Sequence, residues 1–137
     1  MQNTKICEAK KIADVKIMSF GFKYGPPENA DLVFDVRFLQ NPYYVEELKP
    51  LTGLDERVRN YVKSFDETKE FTEKLFDMID FMVPYYIKGD RTSVVIAFGC
   101  TGGKHRSVTM AEETFSHLQN IGYNVAKHHR DIEKFEF

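Results

Sequence analysis

Residues 93–98, Ser-Val-Val-Ile-Ala-Phe, form a continuous apolar run that leads directly into Gly99-Cys100-Thr101-Gly102-Gly103-Lys104-His105-Arg106-Ser107. A run without polar alternation is the pattern of a central strand buried on both faces. Beyond the glycines, Val108, Ala111, Phe115 and Leu118 recur at helical spacing, which predicts a helix over residues 107–121 with Gly122 at its C-terminal cap. A strand, a glycine-rich turn and a helix in succession is the repeating unit of parallel α/β sheets.

The rest of the chain fits that class. A first strand is predicted over residues 16–24, with Phe20, Phe22 and Tyr24 on one face and Ser19 and Lys23 on the other. Gly25-Pro26-Pro27 breaks it. A second strand is predicted over residues 32–39, where Leu32, Phe34, Val36 and Phe38 alternate with Val33, Asp35, Arg37 and Leu39. Residues 43–54 read as a long irregular connection, a type often functional in compact domains. Asp55 is placed to cap a short helix bearing Val58, Tyr61, Val62 and Phe65. Asp66 is placed to cap a longer one with a core stripe of Phe71, Leu75, Met78, Ile79 and Met82, bent or ended by Pro84. Residues 88–91 turn the chain, and residues 124–129 read as the last strand. The expected fold is α/β: a mainly parallel sheet flanked by helices, with an anion site at the strand–glycine loop–helix junction.

With 137 residues the chain has the commonest size of a single domain. The expected organisation is a lead-in over residues 1–15 and one domain over residues 16–137. No signal peptide or membrane span is evident. Two cysteines, Cys7 and Cys100, make no disulfide framework, so a cytoplasmic location is expected. A net charge of −2 argues against non-specific nucleic-acid binding without excluding a local basic patch. The 12 Phe and 7 Tyr fall mostly at core spacings and read as packing.

Glycines at 99, 102 and 103 let a backbone approach a ligand closely. Amides at the start of a helix, with its partial positive charge, favour phosphate or carboxylate. Lys104, His105 and Arg106 add side-chain charge, and Ser107 adds a hydroxyl. The plainer alternative is a tight glycine turn carrying solvated basic residues. The nucleotide P-loop does not fit, because Gly99 stands one residue too close to Gly103-Lys104 and His105 replaces the magnesium-binding hydroxyl. Cys100, five residues, then Arg106-Ser107 resembles the cysteine-dependent phosphatase signature. There the thiolate, with a pKa lowered to roughly 3.5–7.5 by a helix N-terminus and cations, attacks phosphorus. Gly99 stands where that family usually has histidine, and only Asp35 and Asp131 offer themselves as general acid.

A second resemblance covers more of the chain. Five blocks, in order, are similar to the C-terminal domain of the RNase adapter protein RapZ family. They are Ser19-Phe20-Gly21-Phe22-Lys23-Tyr24-Gly25, then Phe34 to Pro42, then Leu51-Thr52-Gly53-Leu54-Asp55, then Gly99 to Ser107, then His129-Arg130-Asp131-Ile132-Glu133-Lys134. The resemblance implies an α/β domain that senses a phosphorylated amino sugar, glucosamine-6-phosphate, binds small regulatory RNA, works with an RNase and self-associates. Family members carry an N-terminal P-loop kinase-like domain; this sequence has none, so no inherited nucleotide activity is expected. Two departures stand out. Tyr43 follows Asn41-Pro42 where the adapter pattern has histidine, and Phe135-Glu136-Phe137 stand in place of a basic run. RNA binding, if present, is accordingly expected to be weak and salt-dependent.

In parallel sheets ligands bind outside the carboxyl ends of the strands. Lys23, Asp35, Arg37, His128, His129 and Arg130 would all lie at that edge. Asp35 and Arg37 equally suit a mutual ion pair. The histidines His105, His128 and His129 show no recognised ligand spacing, so neither metal nor cofactor is expected. The leading expectation is a non-catalytic sensor or adapter domain. Its phosphosugar site is expected to comprise Thr101, Gly102, Gly103, Lys104, His105, Arg106 and Ser107, with Lys23, Asp35, Arg37, Tyr43, His129 and Arg130 as a second tier. The alternatives are a cysteine phosphatase using Cys100 and Arg106, and a purely structural oligomerisation domain.

Overall fold

The computed structural model describes residues 14–89 and 91–134. Four strands, β1 (Val15–Gly21), β2 (Leu32–Asp35), β3 (Val94–Cys100) and β4 (Val125–His129), form one sheet in the order β2-β3-β1-β4. Every pairing is parallel, with Val15 opposite Val94 and Val125, Gly21 opposite Cys100, and Leu32 opposite Ile96. Three helices, α1 (Glu56–Lys63), α2 (Asp66–Lys88) and α3 (Arg106–Asn120), flank it. The parallel α/β class expected from the alternation of elements is the observed one.

The crossovers β2→β3 and β3→β4 advance the same way across the sheet. Such crossovers are right-handed, so both place their helices on one face. The side chains agree. Val15 and Ile17 of β1, Val94, Ile96 and Phe98 of β3, Ile79 and Val83 of α2, and Met110 and Leu118 of α3 form one buried cluster. Complete burial of a side chain such as Ile79 or Leu118 contributes about 1.5–3 kcal/mol. The β1→β2 connection steps back the other way and crosses the opposite face. There the rings of Phe20 and Phe22 pack edge to face and close over Gly99.

Two strands are shorter than their alternation predicts. β1 stops at Gly21 because the Gly21 N–H donates to Asp131 Oδ2 (2.8 Å) and the Lys23 N–H to the Thr101 carbonyl (3.2 Å). Residues Phe22–Tyr24 wind into a 3-10 turn instead, so Lys23 is not a strand residue. β2 stops at Asp35, whose Oδ1 accepts the Arg37 N–H at 3.0 Å and bends the chain. Val36 and Leu39 are consequently the buried positions beyond it, in place of strict alternation.

The helix caps divide. Asp55 caps α1 as expected, accepting the Arg57 N–H at 2.9 Å. Phe65, not Asp66, occupies the cap position of α2 and makes no side-chain cap bond. Asp66 is the first helical residue, where its charge still suits the helix dipole. Pro84 lies inside α2, which continues to Lys88 rather than ending there. The inward face of α2 is Leu75, Ile79 and Val83, and Met78 is half exposed rather than packed. Gly122 follows α3 with φ of 108°, the left-handed conformation its position required. The expected lead-in falls largely outside the described residues, as do Asp90 of the predicted turn and residues 135–137.

Candidate functional site

A cleft of about 960 Å³ opens beyond the carboxyl end of β3. Its floor is Cys100, Thr101, Gly102, Lys104, His105 and Arg106. One wall comes from the irregular connection after β2, including Asn41, Tyr43, Tyr44, Lys49 and Thr52. The turn after β4, Ile132, Glu133 and Lys134, makes the other.

Close backbone packing fixes the floor. Gly103 has φ of 79°, and a Cβ there would stand 2.7 Å from the Gly21 nitrogen. Its need for glycine is therefore contact with the end of β1, and it does not line the cleft. Gly53 packs equally tightly on the first turn of α3, where a Cβ would lie 2.7 Å from the Thr109 nitrogen, and its N–H donates to the Lys104 carbonyl at 2.8 Å. Gly99 belongs to β3, beneath the Phe20 and Phe22 rings, so it does not serve ligand approach. No backbone carbonyl among the described residues accepts from the N–H groups of residues 101–107. These include the first-turn amides that a helix leaves without internal partners.

The side chains brace the floor against both walls. Lys104 Nζ donates to the Ile132 carbonyl at 2.9 Å. Arg106, 6% exposed, donates from Nη1 to the carbonyls of Arg37 (2.6 Å) and Leu39 (3.2 Å). Its Nη2 reaches Thr101 Oγ1 only at 3.5 Å, and its Nε has no partner among the described residues. The Cys100 thiol donates to Ser107 Oγ at 3.2 Å, and both residues are buried. His105 is buried with its Nε2–H donating to the Lys49 carbonyl at 3.2 Å. Burial pushes the His105 imidazole below its ordinary value; the Lys49 and Leu51 carbonyls oppose this in part, and the charges of Arg106 and Lys104 add to it. His105 is therefore neutral at pH 7 and is not the extra positive charge its place in the sequence suggested. Even so, among the described residues Lys49, Lys104, Arg106 and Lys134 line the cleft against one carboxylate, Glu133.

Of the second-tier residues, Tyr43 lines the cleft, with Lys49 Nζ 4.5 Å from its ring centroid. The others lie at the same sheet edge but do not line it. Asp35 and Arg37 pair with each other at 2.7 Å. The Arg37 hydrogen bond, chiefly, holds the Asp35 carboxyl below its usual range. His129 bridges Ser19 Oγ (2.7 Å) and Glu112 Oε2 (2.8 Å). Arg130 donates to the Gly25 carbonyl and to Asp131. Lys23 lies exposed in its turn, its Nζ 5.6 Å from the Tyr24 ring centroid. Asp131 is fully buried. Burial alone would raise its carboxyl, but hydrogen bonds from Arg130, the Gly21 N–H and Lys134 outweigh that and hold it at about 2. Sequence reasoning missed Tyr44, Lys49, Thr52, Glu133 and Lys134; the only signal for the first three was the length of the connection that carries them. Among the described residues no three His, Cys, Asp or Glu side chains are grouped to hold a metal ion. No helix among them is long and apolar enough to cross a membrane.

Comparison with known proteins bears on most of the chain. A family model described as the RapZ C-terminal domain matches residues 13–133. A protein of Thermoanaerobacter sp. strain X514, described as nucleotide-binding, is 59% identical over 118 residues, which is 86% of this chain and 42% of that protein. A nucleotide-binding protein of Caldicellulosiruptor saccharolyticus is 59% identical over 120 residues, 88% of this chain and 41% of its own length. One of Bacillus cytotoxicus is 58% identical over 127 residues, 93% and 43% of the respective chains. The chain thus spans about two fifths of the length of these curated relatives.

Proposed function

The chain belongs to the RapZ C-terminal domain family, and from that premise we propose that it is a non-catalytic sensor or adapter domain whose cleft takes a phosphorylated amino sugar, glucosamine-6-phosphate by family resemblance. The observation that carries this reading is Arg106. Its guanidinium is buried in the cleft floor at the start of α3, with Nε–H lacking a partner among the described residues. Nε itself is enclosed by protein, so the donor offered to a ligand oxygen is Nη2, whose hydrogen bond to the cleft-lining Thr101 Oγ1 is long at 3.5 Å. A phosphate monoester carries a charge of about −1.5 to −2 at neutral pH, and Lys49 and Lys104 stand beside Arg106 to meet it. The donors of residues 101–107 and the dipole of α3 add to the attraction. Tyr43, Tyr44, Asn41 and Thr52 supply the mixed apolar and polar wall that a sugar ring needs.

Catalysis fits less well. Phosphoryl transfer to Cys100 requires a proton donor for the leaving group. Asp35 and Asp131, the acids the sequence offers, are both held in the ionised form by their partners. Small RNA, an RNase partner, self-association and a cytoplasmic location are carried by the family resemblance and complete the proposal.

The relatives' description names nucleotides, so a nucleotide is the competing occupant. Calorimetric titration with glucosamine-6-phosphate, glucosamine and AMP separates the readings. Saturable binding of the sugar phosphate, absent for glucosamine and lost in Arg106→Ala, is expected. Binding of AMP without the sugar phosphate, or of neither, overturns the proposal.

A further inference from the structure

The charge lining the cleft is uneven in an informative way. Lys49, Lys104 and Arg106 face carbonyls or an aromatic ring, and none of them makes an ion pair among the described residues. The fourth cation, Lys134, is paired with the buried Asp131 at 2.7 Å. Against them stands Glu133, among the described residues the one carboxylate lining the cleft, exposed and with no ion pair or hydrogen bond there. It sits on the turn that Lys104 ties to the floor through the Ile132 carbonyl, so its backbone is fixed relative to the loop.

A free carboxylate in a site built for an anion is unfavourable for a ligand that is only an anion, because like charges brought into one cleft repel. It becomes favourable when the ligand also carries a positive group. Resting on the reading of the cleft as a phosphosugar site, we propose that Glu133 is its specificity-determining residue: the carboxylate receives an ammonium group on the ligand and disfavours sugar phosphates that lack one. The site then selects a zwitterion, with phosphate toward the loop and amine toward the turn after β4. Selectivity arises as much from repulsion of the wrong ligand as from attraction of the right one.

The test compares glucosamine-6-phosphate with glucose-6-phosphate, which differ at this amine, in the wild-type chain, Glu133→Gln and Glu133→Asp. Because Glu133 is exposed, the substitutions leave the fold intact, checked by thermal melting. Wild type is expected to favour the amino sugar. Glu133→Gln is expected to weaken the amino sugar phosphate and tighten glucose-6-phosphate, reducing their affinity ratio by about three- to tenfold, as an exposed charge pair allows. Glu133→Asp is expected to keep most of the preference. Opposite movement of the two ligands is the signature, since loss of packing alone weakens both. Binding of both sugars with an unchanged ratio in Glu133→Gln overturns the role of Glu133 and leaves the phosphosugar site standing. Binding of neither sugar by wild type removes the site itself, and this inference with it.

Discussion

The Asp131 carboxylate accepts the Gly21 N–H at 2.8 Å, joining the turn after β4 to the last residue of β1. The same carboxylate takes Arg130 and Lys134, so one buried charge aligns both the cleft wall that bears Glu133 and the backbone against which Gly103 rests. Its carboxyl is held at about 2, below its unfolded value near 3.9. A depressed carboxyl contributes stability that is present above its unfolded pKa and lost as pH falls through the folded one. Asp131→Asn is therefore expected to cost on the order of 2 kcal/mol at pH 7. The difference from wild type should shrink between about pH 4 and pH 2. Urea midpoints at a series of pH values measure this; equal midpoints at pH 7 would contradict it.

His105 titrates in the opposite sense from a histidine that gains an acidic partner. Burial lowers its pKa in the folded chain, so the unfolded chain binds more protons and stability falls as pH drops below the ordinary histidine value of about 6.5. Stability at pH 7.5 should exceed that at pH 5.5, and His105→Gln should remove this component. A slope unchanged by the substitution would show that other groups set it.

Arg106→Ala should lower affinity for glucosamine-6-phosphate by about 1.5–3 kcal/mol, the worth of a charge-assisted hydrogen bond. It should also destabilise the chain by about 1–3 kcal/mol, because the carbonyls of Arg37 and Leu39 lose their donor. Calorimetry and urea unfolding read the two effects separately. An unchanged dissociation constant would assign Arg106 to bracing alone.

Cys100→Ser should change affinity for the sugar phosphate by less than about tenfold, near 1.4 kcal/mol. Neither wild type nor variant should release phosphate from p-nitrophenyl phosphate above background. Turnover abolished by Cys100→Ser would establish the phosphatase instead.

The elements most legible in the sequence were those whose pattern is local. The apolar run of β3, the spacing of Val108, Ala111 and Leu118 in α3 and the Asp55 cap each depend on neighbours a few residues away. The ends of β1 and β2 were not legible, because Gly21 is stopped by Asp131, far along the chain, and Asp35 bends the chain with its own side chain. The loop that forms the floor of the cleft stood out by its glycines and cations, although Gly99 and Gly103 serve backbone packing and only Gly102 lines the cleft. Of its walls only Tyr43 was singled out, since Lys49, Glu133 and Lys134 lie in segments without periodicity and are brought to the cleft by tertiary contacts. Composition likewise marked His105 as basic, whereas burial decides its charge.

The strand order also sets when the cleft comes into being. β1 pairs with β3 and β4 and never with β2, so its first ladder partner, from Val94 onward, lies most of the chain away. Closing such long intervals exacts chain entropy before any pairing rewards it, which makes this a slow topology. On a chain growing from its N-terminus, β1 and the connection bearing Tyr43 and Lys49 emerge well before the loop of residues 101–105, and the turn bearing Glu133 emerges last. The cleft is therefore complete only once residues 125–134 dock beside β1, because the wall they carry is the last of its parts along the chain.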